Sequence, residues 1–229
     1  MKIGIGLPNQ VRNVRPAVIP EWARRSEEAG FSSLGTVGRI AYPGVMDTVA
    51  LAASAGATAT IGLISNVLLG PVWPAVMLAK EAAGIDGVSG GRLTLGLGLG
   101  GRPDDFVVDG LGPRGTGARL DRDLQTYRSI WRGEAVPGSD NPAVSAGSRE
   151  VPILFGGATQ ASFERVARSG EGYIGPSAPA SMIAPAFDAR AEAVKATVES
   201  FTEIGADELI FNPALDDIGE VERLAEIVL

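Results

Sequence analysis

The stretch RLTLGLGLGGRPDDF, residues 92–106, contains a glycine spacing that dinucleotide-binding proteins use around a pyrophosphate. Gly96, Gly98 and Gly101 satisfy G-x-G-x-x-G. The motif should follow the first strand of its βαβ unit and open directly into a helix. Here it falls on the fourth apolar strand segment and is followed by a loop that begins at Arg102. We therefore interpret the match as a coincidence.

The chain contains no cysteine and no histidine, which removes several kinds of chemistry. Disulfides, thiol nucleophiles, Ser-His-Asp triads and the usual zinc ligands are excluded, and we predict no metal site. None of the lysines directly follows an apolar strand segment, which disfavours a Schiff-base lysine. A formal net charge of -7 disfavours a nucleic-acid partner. No apolar run is long enough to span a bilayer and no signal peptide is visible, so we expect a cytoplasmic protein without a membrane partner.

Polar residues and glycines follow most of the apolar segments, as they do where a parallel sheet gathers its loops at one edge. These candidates are Thr36, Arg39 and Tyr42; Ser65 and Asn66; Arg102, Asp104 and Asp105; Gly156 and Gly157; and Gly175 to Ser177. Backbone N–H groups in the two last loops suit a phosphate at a helix N-terminus, although both loops are also consistent with tight turns. Asp104 and Asp105 are most simply the caps of a helical turn.

The elements that must position these residues alternate between short strands and helices. Strands are predicted at 2–8, 31–37, 60–69, 92–99, 151–155, 172–175 and 208–212, and helices at 20–29, 46–57, 74–85, 119–132, 159–168, 181–193, 195–204 and 218–229. The helix at 119–132 has the clearest apolar periodicity, at Leu120, Leu124, Tyr127 and Trp131. The alternation predicts right-handed βαβ units and a parallel sheet, as a barrel or a doubly wound layer.

One domain is expected to span residues 1–229. Residues 133–150 are rich in Gly, Pro, Ser and Ala and lack periodicity, so we interpret them as a surface excursion from this domain. Loops that converge at one face favour a (β/α)8 barrel over a doubly wound layer, although the chain offers only seven strand segments.

Five stretches of the chain stand out as motifs: GFSSLGTVGRIAYP (30–43), the run from LISNVLLG to GRPDDF (63–106), RGTGARLDRDLQTYRSIWRGE (114–134), VPILFGGATQASFERVARSGEGYI (151–174) and FTEIGADELIF (201–211). Together they resemble the luciferase-like family of FMN-dependent monooxygenases and coenzyme F420-dependent oxidoreductases. The resemblance implies a TIM-type (β/α)8 barrel. The chain departs from it near residues 186–194, where a βα unit with the seventh strand is missing. Either the barrel is shortened or a segment is absent from this sequence.

The resemblance also implies a cofactor, FMN or coenzyme F420, at the carboxyl ends of the strands. It places between Ser65 and Asn66 a cis peptide that lies against the cofactor, the alternative being an ordinary trans strand end. Arg39 matches a basic position that pairs with the ring or an anionic substrate, unless it is a solvated surface arginine. Gly38 stands where relatives carry an acid. Catalysis would then rest on Ser65, Asn66, Arg39 and backbone amides, with no general acid identified.

The cofactor-binding residues implied in this way lie at the ends of the strands. The strand glycines would clear the barrel mouth so that a flat ring can lie against the backbone, with Gly101 and Arg102 at its edge. Gly156 and Gly157 would approach the cofactor phosphate. The full set is Thr36, Ser65, Asn66, Gly98, Gly100, Gly101, Arg102, Gly156, Gly157, Gly175 and Ser177.

The expected function is hydride transfer or oxygen insertion on a small organic substrate. A non-catalytic flavin-binding protein is the alternative, because the missing βα unit would remove one wall of the site. A non-flavin phosphate-binding barrel enzyme ranks last, because the Lys or His expected of it is lacking. Relatives in this family often form dimers, and the segment from Ala50 to Ala57 is small and apolar enough for close helix packing, so we expect a homodimer.

Overall fold

The strands and helices alternate along the chain in a computed structural model that describes residues 1–107, 110, 112–169, 171–175 and 187–229. Among these residues the strands are β1 (Lys2–Gly6), β2 (Ser33–Thr36), β3 (Gly62–Ser65), β4 (Leu68–Leu69), β5 (Leu93–Gly98), β6 (Ile153–Gly156), β7 (Gly172–Ile174) and β8 (Glu208–Phe211). The helices are α1 (Val18–Ala29), α2 (Asp47–Ala57), α3 (Ala75–Ser89), α4 (Thr116–Trp131), α5 (Gln160–Ser169), α6 (Phe187–Glu203) and α7 (Gly219–Val228). Short 3-10 helices occupy Pro8–Gln10, Gly70–Val72 and Pro103–Phe106.

The strands form one curled parallel sheet. Its order is β7-β6-β5-β3-β2-β1-β8, with the two-residue β4 beside β5. This half-barrel confirms the α/β fold expected from the sequence in its shortened form. Within the described residues no strand joins β7 to β8, which is where the seventh strand of a complete barrel would lie.

The predicted elements are present, with two corrections. Residues 60–69 form two strands, β3 and β4, because Asn66 and Val67 interrupt the ladder. The helices predicted at 181–193 and 195–204 are one continuous helix from Phe187 to Glu203, and residues 181–186 lie outside the described part of the chain. Residues 133–150 contain one isolated bridge, between Ala135 and Pro142, and no helix or strand. The extent of the single domain stays a prediction.

Helix α4 shows how the helices are anchored to the sheet. Leu120, Tyr127 and Ile130 are completely buried, as the apolar spacing predicts. Each buried side chain of this size stabilises the fold by about 1.5–3 kcal/mol. The ring nitrogen Nε1 of Trp131 donates a hydrogen bond to the carbonyl oxygen of Ala79 in α3 at 2.9 Å. Helices α3 and α4 are therefore fixed to one another as well as to the sheet. Within the described residues, no helix is both long and apolar enough to cross a membrane.

A single arginine holds together the amino-terminal edge of the sheet. The guanidinium of Arg92, just before β5, donates to Thr58 Oγ1 at 3.0 Å and to the carbonyl oxygens of Thr58 and Ile61 at 2.9 and 2.6 Å. It also donates to the carbonyl oxygens of Ala55 and Ser89, at 3.1 and 2.6 Å. The last two lie in the final turns of α2 and α3, where free carbonyl groups carry partial negative charge. Arg92 thus joins two helix ends to the strand that it precedes.

Candidate active site at the carboxyl ends of the strands

The carboxyl ends of the strands form an edge that we call the mouth. The predicted site residues that lie there are Thr36, Ser65, Asn66, Gly98, Gly156 and Gly175. Thr36 and Ser65 are register partners in β2 and β3, and the N–H of Asn66 donates to the carbonyl oxygen of Thr36 at 2.6 Å. The structure therefore brings these three residues together. Ser177 lies outside the described residues.

Ser65 continues the ladder of β3 up to the mouth. Its side chain is buried, and its hydroxyl donates to the carbonyl oxygen of Gly96 in β5 at 2.9 Å. The cis peptide bond joins Asn66 to Val67, so the predicted position between Ser65 and Asn66 is wrong by one residue. The physical reason is the strand pairing: the N–H of Asn66 still donates to β2. The peptide between Ser65 and Asn66 therefore stays part of the extended strand.

The side chain of Val67 fills the space above two of the glycines. A Cβ atom added to Gly98 would lie 2.5 Å from Val67 Cγ2, and one added to Gly156 would lie 2.8 Å from Val67 Cγ1. Real side chains do not approach one another so closely, so larger residues at these positions would displace Val67. The structure thus gives a reason for Gly98 and Gly156 that the sequence did not suggest. Their contact with a cofactor stays a prediction.

The glycines that follow β5 differ in their surroundings. Gly100 has a φ of +81°, in the left-handed region, and a Cβ there would lie 2.9 Å from the ring of Phe106. A Cβ at Gly101 would meet no described atom within 4 Å. Arg102 is exposed, and its side chain makes no hydrogen bond or ion pair with the described residues. Gly101 and Arg102 therefore form the open rim of the mouth beside β5.

Thr36 carries a polar atom without a partner. Its side chain is completely buried, and within the described residues its hydroxyl oxygen makes no hydrogen bond. An unpaired buried hydroxyl costs about 1–3 kcal/mol, so such atoms in native proteins usually have a water or ligand partner. Thr36 ends β2 as the register partner of Ser65, so this unpaired group lies at the carboxyl end of the sheet next to another uncharged hydroxyl residue. That chemistry suits a heterocycle with both donors and acceptors on its edge.

The loop after β6 leads into helix α5. Gly157 has a φ of +138°, and the hydroxyl of Tyr173 donates to its carbonyl oxygen at 2.7 Å. The hydroxyls of Thr159 and Ser162 are 2.9 Å apart, and the N–H of Ser162 donates to Thr159 Oγ1. Because α5 follows β6 after a short loop, its N-terminal turn lies near the carboxyl end of that strand, and helix N-termini can bind anions.

Arg39 is held by two carboxylates. Its Nε lies 3.3 Å from Asp105 Oδ2, and its Nη2 lies 3.5 Å from Asp104 Oδ2. Its guanidinium carbon is 4.7 Å from the centre of the Tyr42 ring, a cation–π contact. The prediction that Asp104 and Asp105 cap their own helical turn is wrong, because no side chain caps that turn and both carboxylates face the loop after β2.

Asp47, the first residue of α2, is a buried carboxyl near the mouth. Burial raises its pKa to about 6, and the negative charge of Glu81 adds to this, while the N–H of Thr48 opposes it. Its Oδ2 is 3.0 Å from the place where a Cβ of Gly38 would lie. A raised pKa means that the proton is held at higher pH than in an ordinary aspartate, so Asp47 titrates near pH 6 and is largely ionised at pH 7. Among the described residues, no group of three or more acidic side chains could hold a metal ion.

A small cavity of about 210 Å³ opens between the loops after β1 and β2. Its lining residues are Asn9, Val37, Arg39, Ile40, Tyr42, Gly44, Val45 and Met46. The Asn9 amide is buried and donates to the carbonyl oxygens of Val37 and Val45, at 3.0 and 3.2 Å. The cavity is smaller than the usual pocket for a drug-sized ligand, which is about 300–1,000 Å³. Its walls combine apolar side chains with the polar groups of Asn9 and Tyr42, and Arg39 supplies the charge.

The sequence did not single out three residues that shape the mouth. They are Asn9, Asp47 and Val67. Each acts on a segment more than eight positions away or through its own burial, so no local spacing identifies it. The one usable signal was the pair of strand glycines, which predicts close approach without saying of what.

Comparisons with known proteins give a family. A family model described as luciferase-like monooxygenase matches residues 1–206. An uncharacterized protein of Mycobacterium tuberculosis is 27% identical over 176 residues, which cover 64% of this chain and 61% of that protein. A second uncharacterized protein of the same organism is 31% identical over 136 residues, covering 55% of this chain and 48% of that protein. The chain therefore spans only part of the length of these relatives.

Solved structures share the fold. The monooxygenase RslO1 from Streptomyces bottropensis is 26% identical, with a TM-score of 0.67, and the match covers 93% of this chain and 68% of that one. The oxygenating constituent of 3,6-diketocamphane monooxygenase from Pseudomonas putida, in complex with FMN, is 16% identical, with a TM-score of 0.65. That match covers 93% of this chain and 64% of the other. An F420-dependent secondary alcohol dehydrogenase, in complex with an F420-acetone adduct, is 16% identical, with a TM-score of 0.66. That match covers 100% of this chain and 82% of the other. The last two show similarity of fold alone.

Proposed function

Because this chain belongs to the luciferase-like monooxygenase family, we propose that it is a flavin- or deazaflavin-dependent oxidoreductase. It would transfer hydride to, or insert oxygen into, a small organic substrate, with FMN or coenzyme F420 as cofactor. The observation that supports this most is the unpaired hydroxyl of Thr36, buried at the mouth beside the uncharged groups of Ser65 and Asn66. The structural neighbours that hold FMN or F420 have the same fold.

The residues at the mouth fit such a cofactor. The Thr36 hydroxyl and the Asn66 amide would meet the polar edge of the ring, and the open rim at Gly101 and Arg102 leaves space beside it. The turn at Gly157 before α5 would receive the phosphate. The bound ring supplies the hydride or the reaction with oxygen, so the protein need not contribute a nucleophile.

The chain's own residues would orient the ring and manage one proton. The Ser65 hydroxyl fixes the end of β3 against β5, which sets the position of Asn66. Arg39 donates hydrogen bonds at the wall of the small cavity, where we propose that the substrate binds. We propose Asp47 as the proton-carrying carboxyl that the sequence left unidentified, because it is buried at the start of α2 beside Gly38 and burial raises its pKa to about 6. The cytoplasmic location stays a prediction.

A cofactor titration tests the proposal. FMN and F420 are added separately to the purified protein, and the absorbance spectrum, tryptophan fluorescence and melting temperature are recorded. We expect one of them to bind, and its reduced form to be oxidised by oxygen or by an organic acceptor. Stoichiometric binding without any oxidation would favour a flavin carrier. If neither cofactor changes the fluorescence or the melting temperature at saturation, both flavin-based functions are wrong.

The Thr36→Val variant separates cofactor binding from folding. Valine has nearly the shape of threonine but lacks the hydroxyl, so the cofactor would lose one hydrogen bond. We expect affinity for the bound flavin to fall by about five- to tenfold. The melting temperature of the cofactor-free protein should stay the same or rise slightly, because an unpaired buried hydroxyl is removed. Thr36→Ser, which keeps the hydroxyl, is the control. Equal affinities in the valine variant and the native protein would remove Thr36 from the cofactor site.

We also propose a homodimer built on α2 and α3. Val49, Met77 and Val88 on these helices are each more than half exposed, although they are large and apolar. Glutamate at both position 49 and position 77 should convert the dimer to a monomer in sedimentation experiments, because burying two new charges costs more than the apolar contact gains. Leu215→Glu changes a similarly exposed residue in the loop between β8 and α7 and serves as the control. A native protein that sediments as a monomer contradicts the proposal.

A further inference from the structure

Asp105 connects two loops that are not neighbours in the sheet. Its Oδ1 accepts hydrogen bonds from the backbone N–H groups of Ile40 and Ala41, at 2.9 and 3.2 Å. It also lies 3.4 Å from Arg39 Nε. The donors belong to the loop after β2 and the acceptor to the loop after β5, while β3 lies between these strands. The contact therefore crosses the mouth above the end of β3.

The carboxylate of Asp105 is nearly inaccessible, with 1% of the residue exposed. A buried carboxylate is destabilising unless charged or polar donors surround it, and these three donors are what surrounds it here. The neighbouring Asp104 differs, because its side chain is 56% exposed and its one described contact is the 3.5 Å ion pair with Arg39. The two neighbouring residues are thus both aspartates, but only Asp105 is buried and surrounded by donors.

The loop held by Asp105 is one wall of the small cavity. Arg39, Ile40 and Tyr42 line that cavity. Arg39 is 15% exposed in its side chain, and it faces one carboxylate at each of two nitrogens. Its positive charge is therefore already compensated before any ligand arrives. Arg12, whose guanidinium carbon is 5.9 Å from the Tyr42 ring, is a second cation near Tyr42 but does not line the cavity.

We propose that Asp105 is a positioning residue that fixes the loop after β2 and compensates the charge of Arg39, so that the cavity selects uncharged ligands. This inference rests on the proposed function only in treating the cavity as the substrate pocket. An anionic ligand would compete with Asp105 for Arg39, whereas an uncharged carbonyl or hydroxyl group can accept a hydrogen bond from Arg39 without displacing it.

Hydrogen exchange measured by mass spectrometry tests the positioning. In Asp105→Ala, the amides of residues 38–42 should exchange at least about tenfold faster than in the native protein, because two backbone N–H groups lose their acceptor. Asp105→Asn should restore most of the protection, since its amide oxygen still accepts both bonds. Asp104→Asn, the matched control, should change exchange less than about twofold. The positioning role would be overturned if exchange became faster evenly over the whole chain. It would also be overturned if the exchange rate at residues 38–42 did not increase.

A binding experiment tests the charge compensation. Benzoate and benzyl alcohol are titrated into the native protein and into Asp105→Asn. Because the variant removes one negative charge beside Arg39, we expect benzoate to bind about five- to tenfold more tightly and benzyl alcohol to bind as before. A purely structural role for Asp105 would weaken both probes or neither, and that result would overturn the inference. Both experiments use cofactor-free protein, so a failure to bind FMN and F420 contradicts the proposed function alone.

Discussion

Replacing Gly98 with leucine is expected to lower the affinity for FMN or F420 by about ten- to a hundredfold. The structure provides the mechanism, because a Cβ at this position would already lie 2.5 Å from Val67 Cγ2. A larger side chain forces Val67 out of the space between β5 and β6, which moves the surface on which the ring would rest. The measurement is an absorbance titration with each cofactor, together with the melting temperature of the free protein.

Two further variants identify what the glycine accommodates. Gly98→Ala alone should destabilise the fold by about 1–3 kcal/mol, because Val67 already fills the space above Gly98. If Val67 is the residue displaced, Gly98→Ala combined with Val67→Ala should recover most of that loss, since the added and removed methyl groups share one space. Gly84→Ala, in the exposed part of α3 with no atom within 4 Å of the new Cβ, is the control. A leucine variant that binds flavin as tightly as the native protein would contradict the assignment of the mouth.

Replacing Arg92 with methionine is expected to reduce the free energy of unfolding by about 2–4 kcal/mol. Methionine keeps much of the aliphatic stem but leaves the carbonyl oxygens of Ala55, Thr58 and Ile61 without their charged donor. Water can reach this edge of the sheet and offsets part of the loss, which sets the upper limit. The measurement is urea unfolding followed by circular dichroism and, at matched pH, by tryptophan fluorescence.

The Arg92→Lys variant tests whether geometry or charge matters at this position. An ammonium group cannot span acceptors in two helices and a loop at once, so we expect lysine to recover less than half of the lost stability. Arg122→Met removes an exposed arginine of α4 and should leave stability within about 0.5 kcal/mol. An Arg92→Met protein that unfolds with the native midpoint would show that the helix ends do not depend on this contact.

The order of strands and helices was predictable from the sequence because its signals are local. The apolar spacing of Leu120, Leu124 and Tyr127 identified α4, and each of these side chains is buried. The alternation of short apolar runs with helices likewise predicted a parallel sheet and a mouth at its carboxyl edge. The gap near residues 186–194 was visible in that alternation, and among the described residues no strand pairing joins β7 to β8.

What occupies the mouth was decided only by the tertiary structure. The sequence showed that glycines stand at 98 and 156, but it could not show that the methyl groups of Val67 fill the space that they leave. It placed Asp105 at a helical turn, whereas the folded chain pairs that carboxylate with donors some 65 positions away. Contacts of this kind depend on which strands become neighbours, and a residue's type and local spacing contain no information about a partner that folding brings to it from a distant part of the chain.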